Sequence, residues 1–331
     1  MNRGWITPAQ FAAFGTAGTD AHRIFSGGDG AQVSRSASRL RPAHAALESE
    51  AATVNGWVER LANDALISHH AAEGLETMRD DLAEWSREIG WQPRRIFGKL
   101  LPRQNEDRDP PVLLSGDPTL PLTGEVRENG VRYGLDFSAG YSAGLFLDQR
   151  MNRAFLRNAA PKRVLNTFAY TCSFSVVAAL AGSETVSIDL SKKSLDRGRA
   201  NFVLNNLEPN AGHRFLADDV LEVLPRLVRS GEKFDAIVLD PPTFSKGNKG
   251  RRWQVEQDLE DLVVAAMEAA APSARILIST NCATIQIADL ERVARFALKF
   301  HRRAGALNRE AHPADFPPGH GAKTLWVSLR G

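Results

Sequence analysis

Cysteine is scarce in this chain, with Cys172 and Cys282 the only two among 331 residues. Two distant thiols exclude a disulfide-stapled secreted scaffold and a zinc site built from cysteines. They suit a reducing cytoplasm, which is the expected location. No run of about 18 apolar residues occurs, so no segment is expected to span a bilayer. The opening MNRGWITPAQ lacks the basic-then-apolar layout of a signal peptide. The eight histidines show no ligand spacing with a partner acid, and no metal is expected. No internal repeat is visible. A G-x-G-x-x-G loop is also missing, and a dinucleotide needs those glycines so that backbone can approach its pyrophosphate.

Hydrophobic residues make up 43% and charged residues 24%, the mix of an ordinary globular protein. The length suggests two domains. Residues 1–45, rich in Gly, Ala and Ser, read as a flexible or irregular segment. Residues 46–123 read as a small α+β domain with a Pro-rich connector. Within it, Leu47, Ala51, Val54, Val58 and Leu61 recur at helical spacing, Ala65-Leu66-Ile67 reads as a strand, and Leu75, Met78, Leu82, Trp85 and Ile89 form a second helical stripe. Gly90 and Pro93 end that stripe. Residues 124–160 predict a hairpin of strands Gly124–Phe137 and Ala143–Leu147, then a linking helix from Arg150 to Asn158. Net charge is only +2, so placement carries more than the total. Basic residues cluster at Arg35, Arg39 and Arg41, at Arg94, Arg95, Lys99 and Arg103, and at Lys246, Lys249, Arg251 and Arg252 beside Trp253. Cations next to an aromatic suit a nucleic-acid surface, although for any single cluster solvated loop charge is the slightly stronger reading.

Over residues 161–331 short apolar runs alternate with helical stripes, which predicts a mainly parallel, Rossmann-like α/β sheet with helices on both faces. Ligands of such sheets bind beyond the carboxyl ends of the strands. Polar residues gather at those ends. The first strand runs into Asn166-Thr167-Phe168-Ala169-Tyr170-Thr171-Cys172. The second ends at Asp189-Leu190, at the spacing where an acid meets ribose hydroxyls. The third ends at Asp218-Asp219-Val220 and the fourth at Asp240-Pro241-Pro242, whose prolines stiffen the loop. One acid of this kind is often a helix cap. Four polar strand ends in succession, three of them acidic and each where an adenosyl ligand needs a partner, favour S-adenosylmethionine, which has no phosphate to cradle.

Leu147 to Arg150, Val164 to Thr171, Asp189-Leu190-Ser191, Asp218-Asp219-Val220 and Phe234-Asp235 through Asp240-Pro241-Pro242-Thr243-Phe244 together resemble class I methyltransferases. More narrowly, they resemble the bacterial 23S rRNA methyltransferases that include the cytosine-5 enzymes, and the related domain that makes 7-methylguanosine. The resemblance covers about residues 124–330, with a fainter echo from Thr19 to Phe25. No stretch resembles the family's N-terminal PUA RNA-binding domain. The resemblance implies a seven-stranded sheet and S-adenosylmethionine as cofactor. It implies that Asp148, Arg150, Asn166, Phe168, Tyr170 and Thr171 surround the methionine and ribose, that Asp189 with Leu190 holds the ribose, that Asp218, Asp219 and Val220 meet the adenine, and that Asp240 lies beside the transferred methyl. In one place the sequence departs from the family. Cys172 stands where the family has Gly after Tyr-Thr, so a positive φ there would strain the loop.

The resemblance also implies an RNA substrate. Carbon 5 of cytosine is a poor nucleophile and needs a thiolate added to carbon 6 first. Cys282 lies just past the strand Arg275–Ser279, seven residues before Asp289, where the cytosine-5 enzymes carry their nucleophile. A small buried cysteine is the competing reading, and it is the one adopted for Cys172. The loop Asp240 to Lys246 and the pair Thr280-Asn281 also resemble the 7-methylguanosine domain, whose nitrogen needs only positioning. A catalytically idle RNA-binding assembly factor is the remaining alternative. A base is reached by flipping it from its stack. Pro241, Pro242, Phe244 and Trp253 are expected to meet it, with Lys246, Lys249, Arg251 and Arg252 on phosphates. The Pro/Gly-rich tail Pro313–Gly321, flanked by His312 and Lys323, is expected to form a lid.

Overall fold

Val164, Leu165, Ile188, Ile237, Leu239, Ile276 and Ile278 are almost wholly buried, as expected for strands covered on both faces. The computed structural model of the protein describes residues 4–27, 56–101, 109–140, 142–246, 252–317 and 319–331. The chain divides into two compact units, one comprising residues 1–130, 135–147 and 314–319, the other residues 131–134, 148–313 and 320–331.

In the first unit, helix α1 (Pro8–Thr16) precedes strands β1 (Ala21–Gly27), β2 (Gly56–Leu61) and β3 (Asp64–His69), helix α2 (Ala72–Ile89), and strands β4 (Arg95–Leu100) and β5 (Val112–Gly116). The strands form one sheet in the order β1-β2-β3-β4-β5. Only β3 and β4 pair in parallel, and α2 makes the crossover between them. Leu75, Met78, Leu82 and Trp85 form its buried stripe. Gly90 closes the helix at φ 71°, a left-handed cap that costs glycine little.

Several expectations fail here. The stripe read as a helix up to Leu61 ends in strand β2, antiparallel to β3, and Leu47, Ala51 and Val54 lie outside the described residues. Six residues are too few for spacing to separate strand from helix. The segment read as irregular contains α1 and β1 within its described part. Arg95 is 1% exposed and grips Asp64 through Nη2 at 2.6 Å and Nε at 3.2 Å. Lys99 donates to the Gly140 carbonyl at 2.8 Å. Both are internal and so unavailable to nucleic acid, whereas Arg94 is half-exposed and Arg103 lies outside the described residues. Asp315 and Phe316 are buried, and Asp315 accepts the Arg23 N–H at 2.8 Å. Residues 314–319 therefore group with the first unit, while the rest of the stretch expected to form a lid belongs to the second.

Strands β6 (Thr123–Glu128) and β7 (Val131–Asp136) form a hairpin turned by Asn129 and Gly130, both at positive φ. The hairpin lies inside the stretch read as one strand, and Asn-Gly is a strong hairpin signal. Residues 143–146 form no strand. A 3-10 turn (Leu147–Gln149) leads into α3 (Arg150–Ala159).

The second unit continues with β8 (Arg163–Thr167), α4 (Ser173–Leu180), β9 (Glu184–Asp189), α5 (Lys192–Leu204), β10 (His213–Ala217), α6 (Val220–Arg229) and β11 (Phe234–Leu239). A short ribbon, β12 (Phe244–Lys246) and β13 (Arg252–Gln254), precedes α7 (Val255–Ala269), β14 (Ala270–Thr280), α8 (Ile287–Phe300), β15 (Ala304–Asn308) and β16 (Lys323–Arg330). The sheet has seven strands in the order β10-β9-β8-β11-β14-β16-β15. The first five are mutually parallel, and β16 is antiparallel to both β14 and β15. Apolar side chains of α6, α7 and α8 share one core with this sheet, where each buried Leu, Ile or Val contributes about 1.5–3 kcal/mol. The strand order turns back between β8 and β11, so the sheet's crevice opens at their carboxyl ends.

Candidate functional site

The loop from β8 to α4 approaches that crevice along an unusual backbone path. Phe168, Tyr170 and Cys172 have φ of 52°, 48° and 59°, the left-handed region that costs a residue with a side chain about 1–2 kcal/mol. The strain is held in place by defined bonds. Ala169 N–H donates to the Ile188 carbonyl at 2.9 Å. Tyr170 N–H donates to Asp189 Oδ2 at 2.8 Å. Asn201 donates to the Thr171 carbonyl at 2.9 Å while accepting the Gly134 N–H at 2.8 Å. Cys172, in the family's glycine position, thus takes the glycine-like conformation. Its side chain fits because α5 has Gly198 opposite, where a Cβ would lie 2.4 Å from Cys172 Sγ. Burial pushes the Cys172 thiol up to about 12, so this thiol is inert.

The acids at the strand ends differ in what they already hold. Asp189 accepts two backbone N–H groups, from Tyr170 and Ser191, and burial raises its carboxyl above the usual range. Asp219 is the N-cap of α6, accepting from Leu221 N–H at 2.9 Å. Asp218 pairs with Arg226. The helix-cap role open to such acids therefore describes Asp219. Asn166 is buried and donates to Ser175 Oγ at 2.9 Å, so its side chain ties β8 to α4. Leu190 is exposed, while Val220 and Arg150 are buried.

Asp240, at the end of β11, is half-buried. Burial, with the Asp148 carboxylate nearby, pushes its carboxyl up to about 6, against the opposing pull of Ser279 and Arg153. Gln149, not singled out from sequence, organises this corner. Its Nε2 donates to Ser279 Oγ at 2.7 Å and to Asp240 Oδ2 at 3.4 Å. Its Oε1 accepts from Asn152 at 2.9 Å, and Asn152 accepts from Trp326 Nε1 at 2.8 Å. Asp148 Oδ2 accepts the Ala322 N–H at 2.8 Å. Two neighbouring carboxylates repel each other when both are ionised, and a further cation placed between them relieves that repulsion. That donor set fits a sulfonium bearing an ammonium group, as S-adenosylmethionine does.

Cys282 lies two residues past β14, whose Ile278 pairs with Leu239 of β11. The sheet register therefore brings Cys282 and Asp240 to neighbouring strand ends. Cys282 is 4% exposed. Its Sγ lies 3.0 Å from Thr284 Oγ1 and 3.9 Å from Glu256 Oε1. Lys323 Nζ donates to its carbonyl at 2.7 Å.

The substrate-side expectations divide. Phe244 is 49% exposed and open to stacking, and Arg252 is exposed. Pro241 is buried and Pro242 half-buried. Trp253 is 3% exposed; it donates to the Pro242 carbonyl at 2.8 Å and lies against Phe168. It packs under its own loop, and the stacking role expected of it is withdrawn. Lys246 belongs to β12. Lys249 and Arg251 lie outside the described residues. Among the described residues no group of His, Cys, Asp or Glu could hold a metal ion, and no helix is long and apolar enough to cross a membrane.

The sequence profile of S-adenosylmethionine-dependent methyltransferases matches residues 45–328. Ribosomal RNA large subunit methyltransferase I of Aeromonas salmonicida is 36% identical over 212 residues, 63% of this chain and 52% of that protein. Its counterpart in Shewanella frigidimarina is 32% identical over 269 residues, 78% of this chain and 66% of the relative. The chain thus spans about half the length of the first of these relatives. Among solved structures, a methyltransferase complexed with SAH aligns at a TM-score of 0.77 over 98% of this chain and 78% of its own, at 23% identity. A SAM-dependent methyltransferase from Streptococcus mutans aligns at 0.75 over 97% and 79%, also at 23% identity. These two are likenesses of fold.

Proposed function

The chain belongs to the S-adenosylmethionine-dependent methyltransferase family, and from that premise we propose that it methylates a base of large-subunit rRNA, at carbon 5 of cytosine through a covalent adduct to Cys282. The observation that carries this reading is the juxtaposition of two functional groups. A half-buried carboxylate, Asp240, and a buried thiol, Cys282, stand at adjacent strand ends beside the switch in strand order. The relatives named above act on large-subunit rRNA, and this supports the same substrate class here.

In this reading the strained Phe168–Cys172 loop surrounds the methionine and ribose of the donor, Asp189 holds the ribose, and Asp219 and Val220 lie beside its base. Asp148 and Asp240 face its cationic end, and Gln149 keeps Asp240 aimed. When bound, S-adenosylmethionine supplies an electrophilic methyl on a sulfonium. Phe244 stacks on the flipped base, and Arg252 takes a phosphate, joined by Lys246, Lys249 and Arg251. The Cys282 thiolate adds to carbon 6, which makes carbon 5 nucleophilic.

The test is mass mapping of rRNA from cells with and without the protein, paired with Cys282→Ala in vitro. A missing 5-methylcytidine and at least a thousandfold loss of turnover with unchanged donor binding are expected. Full activity of Cys282→Ala would remove the covalent step and favour guanine nitrogen 7. An unchanged rRNA methylation map would favour an assembly factor.

A further inference from the structure

Glu256 is unassigned by everything above, yet it completes a cluster around the candidate nucleophile. It lies in the first turn of α7, and its Oε1 accepts the hydroxyl of Thr284. Thr284 Oγ1 lies 3.0 Å from Cys282 Sγ, and Glu256 Oε1 itself is 3.9 Å from that sulfur. The Thr284 hydroxyl hydrogen is engaged by Glu256, so it is the thiol that donates to Thr284. Glu256 and Thr284 are exposed while Cys282 is buried, so the carboxylate stands at the mouth of the thiol's recess. Lys323 fixes the Cys282 carbonyl from the other side.

We propose that Glu256 is the base that removes the carbon 5 proton and releases the product from Cys282, with Thr284 as its positioning residue. The proposal rests on the covalent reading of Cys282. Its chemistry follows from the geometry of addition across a double bond. Sulfur joins carbon 6 on one face of the ring, and carbon 5 takes its methyl on the other. The hydrogen left on carbon 5 then lies on the sulfur's face, within the neighbourhood of a carboxylate 3.9 Å from that sulfur. Glu256 takes this proton. The C5–H electron pair re-forms the C5–C6 double bond, the C6–S bond breaks, and Cys282 leaves as a thiolate, the form in which it adds to carbon 6 after giving its thiol proton to water. Glu256 then releases the proton to water, so the sum is one methyl gained and one proton lost at carbon 5. A general base must sit within reach of the proton it removes, and Glu256 is the acid beside this thiol.

The experiment uses the full chain, an unmodified large-subunit rRNA transcript and methyl-labelled S-adenosylmethionine, and reads labelled protein–RNA adduct on a denaturing gel. Glu256→Gln keeps the size and the acceptor for Thr284. It should transfer about one methyl per protein and then stall, with adduct release slowed at least a hundredfold, whereas the unsubstituted protein leaves no lasting adduct. Thr284→Val should slow release about tenfold. Glu256→Asp should restore part of the release rate that Glu256→Gln loses, although it is the poorer match in size, which a merely structural role would not do. Multiple turnover by Glu256→Gln at the unsubstituted rate, or loss of the first methyl transfer with no adduct, would overturn the proposal while Cys282→Ala remained inactive. An active Cys282→Ala would instead remove the covalent reading itself, and this proposal with it.

Discussion

At the carboxyl edge of the seven-stranded sheet, the half formed by β8, β9 and β10 contrasts with the half formed by β11 and β14. In the first, the acids are already satisfied. Asp189 holds two backbone N–H groups, Asp219 caps a helix and Asp218 pairs with an arginine. Strain there resides in the backbone, at three left-handed residues with side chains. In the second half the backbone is ordinary and the tension is electrostatic. Asp240 is half-buried beside Asp148 with its carboxyl pushed up to about 6, and a thiol lies beside a hydroxyl and a second carboxylate. The first half is preformed for shape, and the second is poised for charge.

The largest expected effect that separates the halves comes from their acids. Asp189→Ala should weaken donor binding about a hundredfold, or roughly 2.7 kcal/mol, by calorimetry. It should leave the reactivity of Cys282 toward an alkylating agent unchanged, because the two lie in different halves. A parallel loss of thiol reactivity would join the halves and break the contrast.

Next comes pH. A cationic donor favours the ionised form of Asp240, so binding should be constant above about pH 6.5 and weaken by up to tenfold per unit as pH falls below about 6. A flat affinity from pH 5 to 7.5 would mean that Asp240 does not face the cation. The same raised carboxyl acts on folding with the opposite sign. The folded protein holds the Asp240 proton more tightly than the unfolded chain does. Stability from this group is therefore full below the unfolded value of 3.8 and is lost as pH rises toward about 6. Asp240→Asn should raise the melting temperature of the ligand-free protein at pH 7.5 by a few degrees while abolishing methylation.

The smallest effect tests the strained half. Gly198→Ala drives a Cβ into Cys172 Sγ and should cost about 1–3 kcal/mol by overpacking. In a Cys172→Gly background that cost should shrink to a few tenths of a kcal/mol, since the thiol is gone and a left-handed glycine is unstrained. Equal costs in both backgrounds, measured by chemical denaturation, would show that the two residues are not coupled.

The second unit was largely legible before the structure was known. Its strands are short apolar runs closed by acids, and its helices have apolar stripes. Both signals are local, since side-chain direction repeats every two or 3.6 residues whatever surrounds it. The first unit was legible only in part. Strand β1 buries His22 and Arg23, and a buried arginine is acceptable only because Glu59 and Phe316 meet it from elsewhere in the chain.

The sequence by itself determined the alternating α/β order, the acids at the strand ends and the two cysteines that matter. Only the tertiary structure decided which charges are inside, as with Arg95 on Asp64, and that Trp253 is core. It alone decided that Gln149 aims Asp240 and that Glu256 and Thr284 surround Cys282. The physical reason is range. Periodicity and backbone preference act between neighbours in the chain, whereas burial and hydrogen-bond partners are set by residues that folding alone brings together.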